Sequence, residues 1–212
     1  MVNLLFMRFD IITIFPNIFD SYFNEGILKR ASGFKKAIDI RVHNLRDFTN
    51  DKHQTVDERP YGGGAGMVLK PEPIIQAIAA IKARSRRKNI KVILFSASGE
   101  RLVQDQVQRF SECDQIIMIC GRYEGIDERV LNFVDEEISI GDFVLTGGEI
   151  PAMALVDAVT RLLPGVLGHE ASNKDESHSV EGVLEYPQFT RPEKLILAKR
   201  FVQRGFQDRP FI

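Results

Sequence analysis

Short apolar runs rich in β-branched residues recur along the chain, and helical periodicity fills the segments between them. Four of these runs predict strands, and the last two are near-continuous, as is typical of parallel strands covered on both faces. They lie at residues 9–15 (FDIITIF), 38–43, 91–96 (KVILFS) and 115–120 (QIIMIC). Pro16 ends the first run, and a shorter apolar stretch at 138–145 is interrupted by Gly141 and Asp142.

Two segments carry the periodicity of amphipathic helices, residues 71–84 and residues 149–163. Each places an apolar residue every three or four positions, and Pro151 is compatible with a first helical turn. Strands that alternate with helices predict an α/β layered domain with a mainly parallel sheet. Two long polar loops, 50–67 and 168–181, interrupt this alternation, and such loops are usually functional or disordered.

The composition is that of an ordinary globular protein. Of the 212 residues, 44% are hydrophobic and 27% are charged, which suffices for one large domain without covalent staples. The net charge of −1 gives no whole-chain argument for nucleic-acid binding. One basic run, from Lys82 to Lys91, is compatible either with a solvated helix end or with phosphate contacts.

The cysteines and the N-terminus indicate the compartment. Cys113 and Cys120 lack histidines at zinc-ligand spacing, and Cys120 lies in an apolar run that predicts a buried thiol. The first residues lack the features of a signal peptide, and no apolar run approaches the roughly 20 residues that cross a bilayer. We therefore expect a reducing, cytoplasmic environment.

The glycines indicate a ligand site. The sequence has no P-loop, no nucleophile elbow, no zinc-protease helix and no dinucleotide fingerprint after its first strand. Instead, glycine-bearing turns follow later strands, at residues 96–99, 120–125 and 140–149. Ligands of open parallel sheets lie at the carboxyl ends of strands, so these turns could form one pocket for an adenosine-type ligand. Plain tight turns remain the alternative.

Long motifs in register then give a family resemblance. They are TVDERPYGGGAGM at 55–67, CGRYEGIDER at 120–129, SIGDFVLTGGEIPA at 139–152, PGVLG at 164–168 and LEYPQFTRP at 184–192. In this order they resemble the bacterial tRNA (guanine-N1)-methyltransferase family of the SPOUT superfamily, from about residue 8 to about residue 193.

The resemblance implies an architecture. It implies a SPOUT-type parallel sheet with helices on both faces and a C-terminal deep trefoil knot, a feature that only the resemblance supports. We expect a cofactor-binding catalytic domain over 1–168, with a mobile linker and a remnant of the C-terminal tRNA-binding region over 169–212. The family's C-terminal helical domain would then be largely missing. The family also implies a homodimer whose active site lies at the subunit interface.

The resemblance further implies S-adenosylmethionine as methyl donor, bound by loops at matching motif positions. The implied cofactor residues are Leu94, Phe95, Ser96, Gly121, Arg122, Tyr123, Glu124, Ser139, Ile140, Gly141, Phe143, Leu145, Gly147, Gly148 and Pro151. Phe143 stands where the family often has Tyr, and Ala97 stands where it often has Pro. Stacking would survive the first change, whereas the second would loosen a turn.

The implied reaction methylates N1 of the guanine 3′ of the anticodon, position 37 of tRNA. A base must take the N1 proton while charge moves onto O6, where a cation would stabilise it. By motif, Arg161 is the candidate cation, although an exposed helix arginine is the alternative. The candidate base is Glu176, where the family has Asp, or else the neighbouring Asp175. Solvated linker charges remain possible for both carboxylates.

The glycine-rich loop matches the family's guanine-side loop, which implies guanine or tRNA contacts for Asp57, Arg59, Tyr61, Gly62 and Gly63. The family also requires Mg²⁺, for which Glu124 is the first candidate. Capping of the loop amides after it is the competing role for Glu124.

After Pro192 the resemblance ends, and the final basic, amphipathic stretch is too short for an independent helical domain. Because phosphate contacts supply most of the affinity for tRNA, a rival hypothesis arises. It is a catalytically impaired or dead homologue that still binds cofactor or RNA. A SPOUT enzyme that acts on another RNA is a third alternative.

Overall fold

A computed structural model describes residues 6–167, 177, 183 and 185–191. The chain divides into two compact units, one through Lys174 and the other from Asp175. In the second unit, the Glu185 amide donates to Ser177 Oγ at 2.9 Å, and Gln188 Nε2 donates to Glu185 Oε1 at 2.7 Å. The predicted boundary after residue 168 stays a prediction.

The described residues of the first unit form a five-stranded sheet with every strand parallel to its neighbours, in the order β2-β1-β6-β5-β7. The predicted α/β layering with a mainly parallel sheet is therefore confirmed. A two-stranded antiparallel ribbon pairs β3 with β4. The strands are β1 (Met7–Thr13), β2 (Ile38–Asn44), β3 (Asp57–Glu58), β4 (Val68–Leu69), β5 (Ile90–Arg101), β6 (Gln115–Cys120) and β7 (Glu136–Ser139).

Helices connect the strands. Those predicted from periodicity end one residue earlier than expected, and three shorter ones had not been predicted. They are α1 (Asp20–Phe23), α2 (Gly26–Ser32), α3 (Pro71–Ala83), α4 (Gln104–Ser111) and α5 (Glu149–Leu162). Short 3₁₀ helices cover Pro16–Phe19, Leu45–Phe48 and Glu128–Phe133. In the part of the chain that the structure describes, no helix is long and apolar enough to cross a membrane.

Two hydrophobic cores cover the two faces of the sheet. Side chains alternate along a strand, so Phe9 and Ile11 of β1 face one core while Ile12 faces the other. The first core also contains buried residues of α2, α4 and α5, and the second contains those of α3. Burial on both faces explains why β1 and β6 are apolar along most of their length.

A buried polar cluster is centred on Asp10, in the middle of β1. Asp10 has no exposed surface, and its Oδ1 accepts from Arg8 Nη2 at 2.8 Å and contacts His43 Nε2 at 2.7 Å. Its Oδ2 accepts from Gln115 Nε2 at 2.7 Å. Burial alone would raise the pKa of Asp10, but the hydrogen bonds with His43 and Arg8 and their positive charge lower it.

The basic run after α3 is mostly exposed. Lys82, Arg84, Arg86 and Lys88 lie at the surface, whereas Arg87 Nη1 donates to the carbonyls of Phe6 and Asp114. The solvated helix end and the phosphate contact therefore both remain compatible with this segment.

Candidate functional site

A cavity of about 190 Å³ lies at the carboxyl ends of β5, β6 and β7. A water needs roughly 10–15 Å³ of such space, so the cavity can hold a ligand of many atoms. Three segments line it, residues 95–97, 121–125 and 138–148, together with Pro151 at the start of α5. The glycine-bearing turns that the sequence singled out therefore meet at one place.

The third segment closes the cavity by returning from the sheet edge to β6. The Gly148 amide donates to the Gly121 carbonyl at 3.0 Å, and Gly147 forms an isolated antiparallel bridge with Arg122. The Ala152 amide then donates to the Gly148 carbonyl at 3.0 Å, which begins α5. The start of α5 is thereby fixed against the loop that follows β6.

Gly147 and Gly148 are required by this close approach. A Cβ on Gly148 would lie 2.7 Å from Cys120 Cα and 3.1 Å from the Gly121 nitrogen, which are backbone atoms. A Cβ on Gly147 would lie 2.6 Å from Arg122 Cδ and 2.6 Å from Glu149 Oε2. Neither position has room for a side chain. Glycine is the residue expected where two backbone segments approach this closely, because it has no Cβ.

The loop after β6 holds a backbone conformation that favours glycine. Tyr123 has φ of 62°, and the Gly125 amide donates to the Arg122 carbonyl at 3.2 Å to close the turn. Left-handed backbone at a non-glycine residue costs of the order of 1–3 kcal/mol and is concentrated at functional sites. The conformation of Tyr123 therefore marks this loop as a candidate ligand contact.

Arg122, which lines the cavity, pairs with a buried carboxylate. Glu149 is 1% exposed, and its carboxylate accepts from Arg122 Nε at 3.0 Å and from Thr13 Oγ1 at 2.7 Å. Burial, and then the negative charge of Glu149, raise the pKa of the neighbouring Cys120 thiol. Cys120 is therefore a buried, protonated thiol, as its apolar run predicted.

All of the predicted cofactor residues except Leu94 line the cavity. The Leu94 side chain packs in the second core, because it points to the opposite face of β5 from Phe95. The cavity is also lined by residues that were not named individually as cofactor contacts, although two of them lie inside the predicted loop 139–148, namely Ala97, Gly125, Ile138, Val144 and Thr146. Val144 and Thr146 lie between predicted neighbours, so the continuity of the 139–148 motif could have found them.

The predicted guanine-side residues lie on the β3–β4 ribbon and its turn. Asp57 pairs with Leu69 across the ribbon, and Arg59, Tyr61, Gly62 and Gly63 are exposed. The ribbon is joined to the cofactor loop by three backbone hydrogen bonds, each of 3.0 Å, between residues 67–69 and 124–127. The two predicted binding loops are therefore neighbours.

Glu124 is exposed beside this junction. Its amide donates to the Met67 carbonyl at 3.0 Å, and its side chain lies close against Gly66. Within the described residues, its carboxylate makes no hydrogen bond to the amides of Gly125 or Ile126, so the capping role has no support there. The described residues also contain no group of three or more His, Cys, Asp or Glu that could hold a metal ion.

The predicted catalytic residues lie away from the cavity or outside the described residues. Arg161 is half-buried in the last turn of α5 and does not line the cavity. It follows Pro151 by ten positions, which is about 15 Å along a helix, farther than an arginine side chain reaches. Asp175 and Glu176 lie outside the described residues.

Comparisons with known proteins agree on one family. A family model described as tRNA (Guanine-1)-methyltransferase TrmD matches residues 7–199. The chain is 54% identical over 186 residues to a tRNA (guanine-N(1)-)-methyltransferase of Dictyoglomus turgidum, covering 88% of this chain and 74% of the relative. The corresponding protein of Geobacillus kaustophilus is 51% identical over 187 residues, which cover 88% of this chain and 75% of that protein.

A solved structure is also similar to the chain. It is the crystal structure of the tRNA (m1G37) methyltransferase from Aquifex aeolicus, with a TM-score of 0.74 and 42% sequence identity. The match covers 90% of this chain and 78% of that one.

Proposed function

The chain belongs to the tRNA (guanine-1)-methyltransferase family, and on this premise we propose that it transfers a methyl group from S-adenosylmethionine to N1 of guanine 37 in tRNA. One observation carries the proposal. The three loops that hold the family's motifs converge on a single cavity at the carboxyl ends of neighbouring parallel strands.

The cavity fits an adenosyl ligand. The loops 121–125 and 139–148 present glycine backbone amides and carbonyls, which can satisfy the donor and acceptor edges of adenine. Phe143 is 55% exposed in the cavity wall and offers a ring for stacking in place of the family's tyrosine. Of the predicted set, Leu94 would contribute only through its backbone. When bound, S-adenosylmethionine supplies an electrophilic methyl group. We further propose that the segment from β7 to α5 closes the family's trefoil knot.

The position of Arg161 supports a homodimeric active site. Because Arg161 lies about 15 Å along α5 from Pro151, it cannot serve the cavity of its own chain. Exposed apolar side chains surround the cavity, among them Val144 at 85%, Phe15 and Ile150. Exposed apolar patches mark protein interfaces. We propose that the cavity of one protomer meets Arg161 of the partner subunit.

The chemistry needs a base and a cation. A carboxylate of the segment after residue 168 would accept the N1 proton of guanine, and we assign this role to Glu176, with Asp175 as the alternative. The two acids have similar intrinsic pKa values near 4, but the extra methylene of Glu displaces its carboxylate by about 1.5 Å. Arg161 would stabilise the charge that develops on O6.

The β3–β4 turn would contact the target nucleotide. Its exposed Arg59 and Tyr61 can stack on an unstacked base or bind its edges, and Asp57 can accept hydrogen bonds from guanine. Gly62 and Gly63 would let the backbone approach. For Mg²⁺ the exposed carboxylate of Glu124 beside the cofactor loop stays the candidate, but the described residues hold no group of three or more possible metal ligands, so we derive no step from this ion.

The relatives favour an active enzyme over an impaired homologue, because proteins about half identical over 88% of this chain are named as methyltransferases. We propose that the chain acts in the cytoplasm, where tRNA is modified.

Methyl transfer to tRNA transcripts tests the proposal. With labelled S-adenosylmethionine, we expect transfer to a transcript with guanine at position 37 and none when adenine replaces it. Binding of the donor without transfer would favour the impaired homologue, and transfer unaffected by the base change would indicate another target. Single-turnover rates of Glu176→Gln and Asp175→Asn would identify the base. If neither substitution slowed transfer, the proposed role of these carboxylates would be wrong.

Mixed dimers test the shared active site. Arg161→Ala and a variant with a distorted cavity, Gly148→Ala, should each have little activity alone at a donor concentration near the wild-type Kd. Mixing them at random makes half of the dimers mixed, each with one intact site of two, so about a quarter of wild-type activity should return. No recovery despite verified subunit exchange would refute sites that are shared between subunits.

A further inference from the structure

We propose that Glu149 is a positioning residue of the cofactor cavity, because its buried carboxylate fixes the Arg122 guanidinium and ties both cofactor loops to the end of β1. The inference rests on the proposed function, since the affinity that it concerns is that for S-adenosylmethionine. It adds Thr13 and Glu149 to the functional residues, and neither of them lines the cavity.

The carboxylate joins three distant parts of the chain. Glu149 Oε1 accepts from Thr13 Oγ1 at 2.7 Å, and Glu149 Oε2 accepts from Arg122 Nε at 3.0 Å. Thr13 ends β1, Arg122 follows β6, and Glu149 begins α5 directly after the segment that crosses from β7. Because each carboxylate oxygen has its own donor, one side chain sets the relative position of these three segments.

Arg122 is fixed from several sides. Its side chain is 17% exposed, and its Nη1 donates to the Thr146 carbonyl at 3.2 Å. The guanidinium carbon also lies 4.8 Å from the centroid of the Phe15 ring, at cation–π distance. A free arginine has large rotamer entropy, so a guanidinium held before the ligand arrives lowers the entropic cost of binding.

The buried carboxyl group of Glu149 has partners that compensate its burial. A carboxylate that is 1% exposed is expensive unless it is paired and hydrogen-bonded. Here Arg122 supplies the opposite charge and Thr13 a hydroxyl donor. Glu149 is also the first residue of the 14-residue helix α5, where the helix dipole stabilises negative charge.

The pair lies at the cavity, although only Arg122 lines it. Arg122, Thr146 and Gly147 line the cavity, and the bare Cα of Gly147 packs against both members of the pair. A substitution in the pair therefore changes the position of residues that line the ligand site. Neither member of the pair belongs to the hydrophobic cores on the two faces of the sheet.

Glu149→Gln tests the inference, because it keeps the shape and removes the charge. We expect the Kd for S-adenosylmethionine to rise roughly tenfold, as is typical when a charge-assisted hydrogen bond is lost. The rate at saturating donor should change much less. Glu136→Gln is the matched control, since Glu136 pairs with Lys91 and Arg109 at the opposite end of the strands, and it should leave the Kd unchanged.

A double-mutant cycle separates positioning from general destabilisation. If Glu149 acts through Arg122, the double variant Glu149→Gln with Arg122→Gln should bind the donor no more weakly than the worse single variant. Losses of affinity that simply multiply would overturn the inference. So would a Glu149→Gln variant that has a lower Tm but wild-type Kd, because that would indicate a purely structural role.

Thr13→Val keeps the inference testable if Glu149→Gln does not fold. It removes the hydroxyl that donates to Glu149 and accepts from the Phe15 amide at 2.9 Å, and it leaves the charge pair. A smaller rise in Kd is therefore expected, of about threefold. Wild-type affinity in Thr13→Val would overturn the inference in that case.

The wild-type chain distinguishes the two proposals. If it bound no S-adenosylmethionine, the proposed function would fail together with this inference, whereas normal wild-type binding with an unaffected Glu149→Gln would refute the inference alone.

Discussion

The close contact of Gly148 with the loop after β6 leads to the most direct prediction, which concerns Gly148→Ala. Gly148 has φ of −82°, a conformation that alanine adopts readily, so the substitution adds no backbone strain. Its effect would come only from the new methyl group, which would lie 2.7 Å from Cys120 Cα. The neighbouring atoms are buried backbone and cannot rotate away, so the two loops must separate.

The size of the effect follows from these distances. To restore a van der Waals separation of about 3.5 Å, the segment must move by about 0.8 Å. The hydrogen bond from the Gly148 amide to the Gly121 carbonyl, now 3.0 Å, would then exceed the usual limit of about 3.2 Å. Overpacking costs about 1–3 kcal/mol and the lost hydrogen bond about 1 kcal/mol. We therefore expect a loss of unfolding free energy of about 2–4 kcal/mol.

Donor binding and catalysis should be impaired more than stability, since a misplacement of about 1 Å at an active site can lower the rate about a hundredfold. Calorimetry with S-adenosylmethionine should show the Kd rising at least tenfold, and urea denaturation should show the loss of stability. Gly26→Ala is the control, because Gly26 has φ of +57° and no atom near the added methyl, at the start of α2. It should lower stability by strain alone. Donor binding by Gly148→Ala at wild-type affinity would refute the steric reasoning.

Two further predictions concern buried ionisable groups. Because the pKa of Asp10 is lowered in the folded protein, its stabilising contribution is complete above the unfolded value near 3.9 and is lost as pH falls through the lowered pKa. At neutral pH, Asp10→Asn should lower the free energy of unfolding by roughly 3–5 kcal/mol. A plot of the urea midpoint against pH should also be flatter on its acid side for the variant than for the wild type, and parallel plots would contradict this. Burial and the charge of Glu149 raise the pKa of Cys120, so iodoacetamide should label it at pH 8 only in denaturant. Labelling of the native protein, followed by mass spectrometry, would show the thiol to be accessible.

The sequence predicted the central strands and the two long helices because their burial is continuous or periodic. QIIMIC is buried at all six positions, and β6 has the predicted bounds. The helix α4 was missed because only Gln106, Val107 and Phe110 are buried in eight mostly polar residues. The outer part of β5 was missed as well, since ASGER resembles a loop and is paired only by β7.

The candidate site was predictable as far as its residues are adjacent in the chain. The loops after β6 and β7 are continuous motifs, so nearly all of their members could be named in advance. The contact between Thr13 and Glu149 could not be predicted, because 136 positions separate the two residues and Thr13 looks like an ordinary β-branched strand residue. The place of Arg161 relative to the cavity likewise depends on the length and direction of α5.

The strand order explains why the cavity lies where it does. In the sheet β5 separates β7 from β6, yet Gly148, nine positions after the end of β7, hydrogen-bonds to Gly121 at the end of β6. The chain from β7 must therefore cross the carboxyl end of β5, and the space under this crossing is the cavity. The pairing of β5 with β7 is irregular between Phe95 and Glu100, so that residues 95–97 line the cavity while the strand resumes beyond it. Since the crossing is anchored at one end by the Arg122–Glu149 pair, the geometry that creates the pocket also places a fixed cation in its wall.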